Sequence, residues 1–424
     1  MKFADFKYGL SEFWSEFKKE RSGLVGLAIL ILSILVVIFE PLILPWKEAN
    51  TKWRSIDYWQ DNSAGAPPAW TNFFSKQKAA ITVRLENPKD EVIEMDGGIK
   101  LATYTFDYDY TADKAPLDVI FHMIGHGDFP VQVAVERPDG QIIELAQRFE
   151  QGLSGQDIRI SLDNDGRESV FTFIKSHESE EALKEYSSKS LRTCNIVFNQ
   201  TREGMATEFK SLKGNYKFIV RALLLVPGYS EVEDPYTVVT GSVSGLLGTD
   251  DSKRDIFSGL VAGLKWALII GLLTSAISVL IGVMYGIVSA YFGGAVDSVM
   301  QFIYQIVNSV PILPVLIVVS AIFKPSIYML ITAMVLFFWT GSVMTVRSMA
   351  LQIKEETYIE AAKALGAKHS RIIFKHMVPL LIPYSFASMA LSVPSAIVYE
   401  SSVSLLGLGD ATIVTWGQIL HDAM

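Results

Sequence analysis

Glu355 to Pro379 reads EETYIEAAKALGAKHSRIIFKHMVP, and the reading of this stretch decides the fold. It lies between two long apolar segments, so a chain that crosses a membrane before and after it exposes it as a loop. Its pattern is nevertheless that of two short helices. Tyr358, Ile359, Ala362 and Leu365, then Ile372, Ile373 and Met377, recur at helical spacing, with Lys and Glu on the other side. Gly366 sits between the runs, where a helix C-terminus favours a residue that tolerates positive φ. Pro379 is expected to close the second run. So amphipathic a pair has to bury its apolar face, and nothing else on that side of the chain is large enough to cover it.

Glu360-Ala361-Ala362, three residues, Gly366, nine residues, then a hydrophobic pair ending in Pro379 resembles the EAA loop of ABC-importer permeases. That family carries Ile and Leu where this chain has His376 and Val378. The resemblance implies that the two helices dock into a cleft on a separate ATPase subunit and couple ATP binding to helix movement. Ala361 and Ala362 would then permit close approach, and Glu360 would supply a polar contact. Without the resemblance, the same stretch reads as an amphipathic helix pair on a membrane surface.

Working outward, the chain of 424 residues is too long for one ordinary domain. A mean hydropathy of +0.29 with 19% charged residues averages two different solvents. Residues 46–250 hold 31 Asp/Glu against 22 Lys/Arg, which accounts for all the acidity of a chain whose net charge is −8. Such a surface disfavours nucleic acid as a partner. The single cysteine, Cys194, excludes an internal disulfide and a cysteine-cluster metal site.

Residues 1–22 form a basic, aromatic stretch (Lys2, Lys7, Lys18, Lys19 and Arg21 among Phe and Trp) suited to a cytoplasmic membrane interface. Residues 23–45 carry one charge, Glu40, and are expected to be the first transmembrane helix, with the N-terminus in the cytoplasm. Residues 46–245 then lie outside. Alternation there predicts strands at Ile81–Leu85, Val131–Val135, Ile158–Leu162, Val170–Ile174 and Tyr216–Val220. Turns are expected at Arg137-Pro138-Asp139-Gly140 and Asp163-Asn164-Asp165-Gly166, and the one helix at Ser176–Ser190. The expected domain is β-rich, a β-sandwich. His122, His126 and Asp128 are close in sequence, but two histidines and a carboxylate beside Gly125 and Gly127 are more often loop residues than ligands, so no metal is expected.

Residues 246–424 read as a core of four further spans around the loop 347–378. Gly248, Thr249 and Asp250, with Arg254 and Asp255, resemble the outer elbow of the dipeptide/oligopeptide branch, which usually has Gly at Lys253. Asp250 is read as capping a short helix, with Arg254 and Asp255 at headgroup level. Leu260–Ala290 contains Gly282-x-x-x-Gly286, a close-contact pattern. The third span, about Val299–Phe323, has Phe302 and Gln305 where the family tends to carry an Arg–Asp pair. It is broken by Pro311 and Pro314 next to Asn308 and Ser309, a candidate pathway wall. Tyr328–Val346 is the fourth span and Leu380–Leu406 the fifth. The fifth holds Glu400 and Ser401, which read as a gate, a subunit contact or a structural hydrogen bond. The family adds a sixth helix after Trp416–Leu420, and that helix is expected to be missing from this sequence.

The whole therefore reads as a multi-span α-helical membrane protein, a type I ABC-importer permease core with a large extracytoplasmic β-rich insertion. No G-x-x-x-x-G-K-[ST] occurs, so no catalytic residues and no cofactor are expected in this chain. The resemblance implies ATP and Mg on a partner: two ATPase subunits, a second homologous permease and an extracytoplasmic substrate-binding protein, in the inner (cytoplasmic) membrane lipid bilayer. The rival is a membrane-anchored β-sandwich sensor or adhesion protein.

Overall fold

The structure, a computed structural model, describes residues 21–126, 129–150, 157–183, 186–226 and 229–423. The basic N-terminal stretch before Arg21 and the residue Asp128 lie outside them. The chain divides into two compact units: residues up to Trp53 together with those from Ser258, and Arg54–Phe257.

In the second unit, nine strands form two antiparallel sheets: β1 (Val83–Leu85), β2 (Lys89–Glu94), β3 (Lys100–Tyr110), β4 (Asp118–His126), β5 (Phe129–Glu136), β6 (Ile142–Glu150), β7 (Ile158–Arg159), β8 (Gly214–Leu224) and β9 (Glu231–Thr240). One sheet runs β1-β9-β4-β7 and the other β2-β3-β8-β5-β6. Val119, Phe121 and Val239 of the first share one core with Tyr108, Val133, Val135, Phe218 and Val220 of the second, as the period-two pattern requires. The hairpin between β5 and β6 turns at Arg137–Gly140, with Gly140 at φ +80.

Four sequence expectations fail in whole or in part here, the first being the strand Ile158–Leu162, which is extended only at Ile158–Arg159 and turns at 160–162. Val170–Ile174 is not a strand but lies within a helix, α2 (Asn164–Lys175). Asp163 caps that helix, its carboxylate accepting from the Asp165 N–H, so the expected turn is a helix start. Val170 and Ile174, four apart, enter the sheet core together. The stretch Ser176–Ser190, expected as the one helix, contains only Glu180–Leu183 as α-helix among the described residues.

The first unit is helical. Among the described residues, three helices are long and apolar enough to cross a membrane: α3 (Ile256–Phe292), α6 (Ile327–Lys354) and α8 (His369–Leu405). A fourth candidate is the pair α4 (Gly294–Ser309) and α5 (Ile312–Ile322), bent by 72°. The first expected span is shorter than 23–45: α1 (Arg21–Ile38) breaks at Phe39, and a separate turn, Glu40–Ile43, begins with Pro41 in its first turn. Its 18 residues reach about 27 Å at 1.5 Å per residue. The third expected span is broken at Pro311 as its sequence requires, because Pro311 offers no N–H to continue the ladder and Val310 is extended, while Pro314 lies within α5.

Helices α3 and α6 approach closely through Gly282 and Gly286. A methyl group on Gly282 would lie 2.2 Å from Ser342 Oγ and 2.3 Å from the Trp339 carbonyl oxygen. The close-contact spacing seen in the sequence thus meets a backbone, which is what small residues at a helix crossing permit.

Candidate functional site: coupling loop, broken span and a buried histidine clamp

The loop between α6 and α8 carries α7 (Thr357–Ala364), the turn at Gly366 and the start of α8. Ile359, Ile372 and Met377 are fully buried, in one core with Ile287, Ala290, Val346 and Ala350 of α3 and α6. Part of the apolar face is therefore covered by the chain's own helices, against the expectation that nothing in the chain is large enough. The rest faces out: Glu360 and Ala361 are exposed, Ala362 is half-buried, Leu365 is 88% exposed and Phe374 61%. Gly366 has φ +79, and a methyl group there would meet nothing within 4 Å. It is needed for its backbone angle, not for space.

Pro379 does not close the second helix. The π turn Ile373–Met377 shifts the hydrogen-bond register, which places Pro379 in the first turn of the following segment, where a missing N–H is harmless. The helix continues to Leu405.

Above this loop in the chain, Arg347 holds Asp297 through two bonds, Nε–Oδ1 at 2.8 Å and Nη2–Oδ2 at 2.5 Å. Ser289 donates to the same carboxylate, and Gln301 donates to Ser289 Oγ at 3.1 Å. Lys354 reaches the Ala290 carbonyl at 3.2 Å, and the Tyr291 hydroxyl and His369 Nδ1 lie 2.7 Å apart. A bidentate ion pair with further hydrogen bonds ties α3, α4 and α6 together next to the loop. The sequence contains both charges, but fifty intervening positions hide their pairing.

At the broken span, Asn308 lines a cavity of about 300 Å³ with Thr340, Ser392, Ser395 and Tyr399. Ser309 donates back to the Ile306 carbonyl at 2.8 Å, and Pro311 caps α5. Neither lines the cavity. The α8 residues Ser392, Ser395 and Tyr399 are absent from the sequence-based candidates, although their spacing of three and four marks one helix face.

Glu400 is not brought to that cavity. It is 2% exposed and accepts from Ser404 Oγ at 2.6 Å, with the Thr415 and Ser401 side chains also against its carboxylate. Gly417, in α9 (Trp416–Asp422), packs so closely that a methyl group would lie 2.5 Å from Ser401 Cα. Glu400 thus makes the structural hydrogen bond expected among its readings, beside the seat of α9 on the end of α8.

The elbow residues belong to the second unit. Asp250 caps a turn rather than a helix: its carboxylate takes the Arg254 N–H at 2.8 Å and Arg254 Nε at 2.7 Å. Thr249 Oγ1 donates to the Ser63 carbonyl at 2.6 Å and accepts from the Ala66 N–H. Arg254 and Asp255 are buried, at 7% and 2%, because the turn folds them inward. Lys253 takes φ +68, the conformation a glycine would favour there. A methyl group on Gly248 would lie 2.2 Å from the Ala66 carbonyl oxygen.

The second unit holds a further constellation. His122 Nε2 lies 2.8 Å from Asp61 Oδ1, and His122 Nδ1 lies 2.5 Å from Asp157 Oδ1. Tyr236 stacks on the ring at 4.3 Å, with Arg84 3.7 Å from the Tyr236 ring centroid. Arg159 approaches both carboxylates, at 3.8 and 3.9 Å, and Gln60 donates to Asp157 Oδ2 at 2.7 Å. Burial disfavours the charged ring, but the bonds to Asp157 and Asp61 outweigh it and raise the His122 pKa. One ligand atom from each of Asp61, His122 and Asp157 lies within 4.8 Å of the others, a spacing that admits a metal ion. The carboxylates, however, sit on opposite nitrogens of one ring. With Arg159 beside them, two negative charges meet two positive ones once the ring is protonated. The side chain of His126 and the residue Asp128, the sequence neighbours, lie outside the described ones.

With this geometry in hand, the chain can be set beside known proteins. The family described as binding-protein-dependent transport system inner membrane component matches residues 278–421, and the N-terminal TM domain of oligopeptide transport permease C matches residues 10–68. The dipeptide transport system permease protein DppC of Alkalihalophilus pseudofirmus is 30% identical over 206 residues, 48% of this chain and 68% of that protein. The chain belongs to the dipeptide/oligopeptide ABC permease family. The oligopeptide permease OppC and the dipeptide permease DppC of Bacillus subtilis are 36% and 38% identical over 42% of this permease. It spans 58% and 56% of their lengths. The MetNI methionine ABC transporter aligns with 38% of this permease and 77% of that chain at 18% identity, with a TM-score of 0.30, too low a likeness to reason from. The multi-pass helices accord with the type I permease fold. Most of the β-rich unit lies between the two matched stretches.

Proposed function

We propose that this chain is a permease subunit of an ATP-driven importer, moving peptides or similar small solutes across the inner membrane. The observation that carries the reading is the two-sided loop 355–379. One side is anchored in the bundle by Ile359, Ile372 and Met377, while Glu360, Ala361 and Leu365 stand free on the other. An apolar residue as exposed as Leu365, on a rigid helical hairpin, is what a docking element needs. The occupant is a separate ATPase subunit that carries ATP and Mg. Two such subunits, a second homologous permease and an extracytoplasmic binding protein complete the assembly. Asn308, Thr340, Ser392, Ser395 and Tyr399 wall the solute path, and the bend at Pro311 is tolerated because it borders that cavity. The Arg347–Asp297 pair transmits loop movement to α3 and α4.

The topology follows the charge distribution: N-terminus and loop 347–378 inside, residues 46–245 outside. A cysteine introduced at Lys368 is expected to resist an impermeant thiol reagent in intact cells and to react in inverted vesicles. Labelling from outside would overturn this orientation.

Coupling is tested at two positions that span no membrane. Gly366→Val forces a β-branched residue into positive φ with no steric conflict, so it redirects the second helix through the backbone alone. Glu360→Lys removes a charge-assisted contact, about 1.5–3 kcal/mol, or roughly ten- to hundredfold in affinity. Both variants are expected to reach the membrane at wild-type levels while losing ATPase copurification and uptake together. Retention of ATPase and transport at wild-type rates by both would sink the coupling role.

A further inference from the structure

The second unit contains a cavity of about 870 Å³, within the range of small-molecule sites, well away in sequence from every motif used so far. Its charge is inverted relative to its surroundings. Residues 46–250 are strongly acidic, yet Lys114, Arg167, Lys189 and Arg192 line this cavity, and no Asp or Glu does among the described residues. We propose that it binds a small organic carboxylate bearing an apolar group.

Three observations carry this. First, the cations stand ready. Arg167 is fixed by donating Nε and Nη2 to the Ser161 carbonyl at 3.1 and 2.7 Å, and the side chains of Lys114, Lys189 and Arg192 make no ion pair among the described residues. Second, Thr193, 1% exposed, lines the same cavity with its Oγ1 unpartnered. A buried hydroxyl left without a partner is costly, and a ligand oxygen would satisfy it. Third, the rest of the wall includes apolar groups: Leu191 and Cys194 are buried and Phe209 is half-buried. An inorganic anion would leave that surface and most of the volume unused. Asp118, whose charge reaches Cys194, does not line the cavity, and its Oδ1 is turned to the Val119 and Ser161 N–H groups. The site does not depend on the transport reading, since it lies wholly within the second unit.

The probe is N-acetylphenylalanine, compared with its neutral amide and with inorganic phosphate, titrated calorimetrically into the full chain in lipid nanodiscs. The acid is expected to bind saturably, and the amide about tenfold or more weakly, as the loss of charge-assisted bonds implies. Lys189→Glu with Arg192→Glu, both exposed positions, should weaken the acid at least as much. Thr193→Val provides a second variant with an opposite structural signature. It should weaken binding while leaving the unfolding midpoint unchanged or raised, because the deleted hydroxyl has no partner to lose. Equal affinity for acid and amide, no saturable binding of the acid, or binding untouched by the charge reversals would overturn the proposal. Displacement of the acid by phosphate at equal concentration would also overturn it, by showing a bare anion site.

Discussion

His122→Leu destabilises the Arg54–Phe257 unit by about 3–5 kcal/mol, the scale for removing one partner of a buried ion pair. For a unit of this size that corresponds to a fall of roughly 6–20 °C in its unfolding midpoint. The reason is geometric. Asp61 and Asp157 are 9% and 14% exposed and sit on the two nitrogens of one imidazole. Without the ring, only Arg159, at 3.8 and 3.9 Å, remains close to both carboxylates. Lys253 turns its Nζ to the Gln60 carbonyl instead. Scanning fluorimetry of the full chain measures the change, and a shift below about 2 °C would mean that the cluster is already relaxed. Chelation by EDTA should leave the wild-type midpoint where it is. A drop on chelation would identify a metal where the charge count calls for a proton.

The same cluster sets a pH dependence with a definite sign. Because the folded His122 pKa is raised, the folded state holds its proton more tightly than the unfolded chain does. The contribution is complete below the unfolded histidine value, about 6.5, and is lost as pH rises through the higher folded pKa. Wild-type stability should therefore decline above neutrality relative to His122→Leu, and the two curves should converge. A difference that instead grows with pH would show the ring to be neutral in the fold. Tyr236, stacked on His122, does not titrate in this window, since burial foremost and the Asp61 charge next push it up to about 12.

How much of this was legible depends on how far apart the partners stand in the chain. The helical pair in the loop 355–379 was readable because its signals are local: helical spacing, a glycine at the turn, charges on the other face. What escaped there was the π turn at Ile373–Met377, a register shift with no residue signature, and with it the fate of Pro379. Val170–Ile174 was misread because VFTFI satisfies period two and, through Val170 and Ile174, period four as well. The Asp163 cap was the signal that separates them. Histidine clamp and anion cavity were both invisible for one reason: their residues arrive from segments as distant as Asp61 and Asp157, or Lys114 and Arg192. Sequence proximity set His126 and Asp128 beside His122 and carried no sign of the distant carboxylates that the ring meets. At the elbow, the burial of Arg254 and Asp255 had no local signal. These charges are buried by turns whose partners, Ser63 and Ala66, lie nearly two hundred residues earlier.

Gly282→Ile abolishes the folded permease core while leaving the β-rich unit intact. At this crossing α3 meets not a flexible side chain but backbone: a single added carbon would lie 2.3 Å from the Trp339 carbonyl oxygen and 2.2 Å from Ser342 Oγ. Gly286, one turn on, has 2.9 Å to the Val343 carbonyl and 3.0 Å to the Arg347 nitrogen, so α3 cannot slide along to escape. Overpacking of this kind costs typically about 1–3 kcal/mol, and more where rigid backbone must yield. Membrane helices gain little from burial against each other, because lipid is as apolar as their side chains, so close packing is much of what holds them. Separating α3 from α6 also pulls Arg347 away from Asp297 and Ser289, and it opens the core that anchors Ile359 and Ile372 beneath the coupling loop. Gly282→Ala should therefore show a milder version of the same defect, and Gly341→Ala, where an added carbon meets nothing within 4 Å, no packing defect. Thermal aggregation of the three variants in detergent, with limited proteolysis to follow each unit separately, gives the comparison. Equal midpoints for Gly282→Ile and Gly341→Ala would mean that the helices do not pack through this crossing in the membrane.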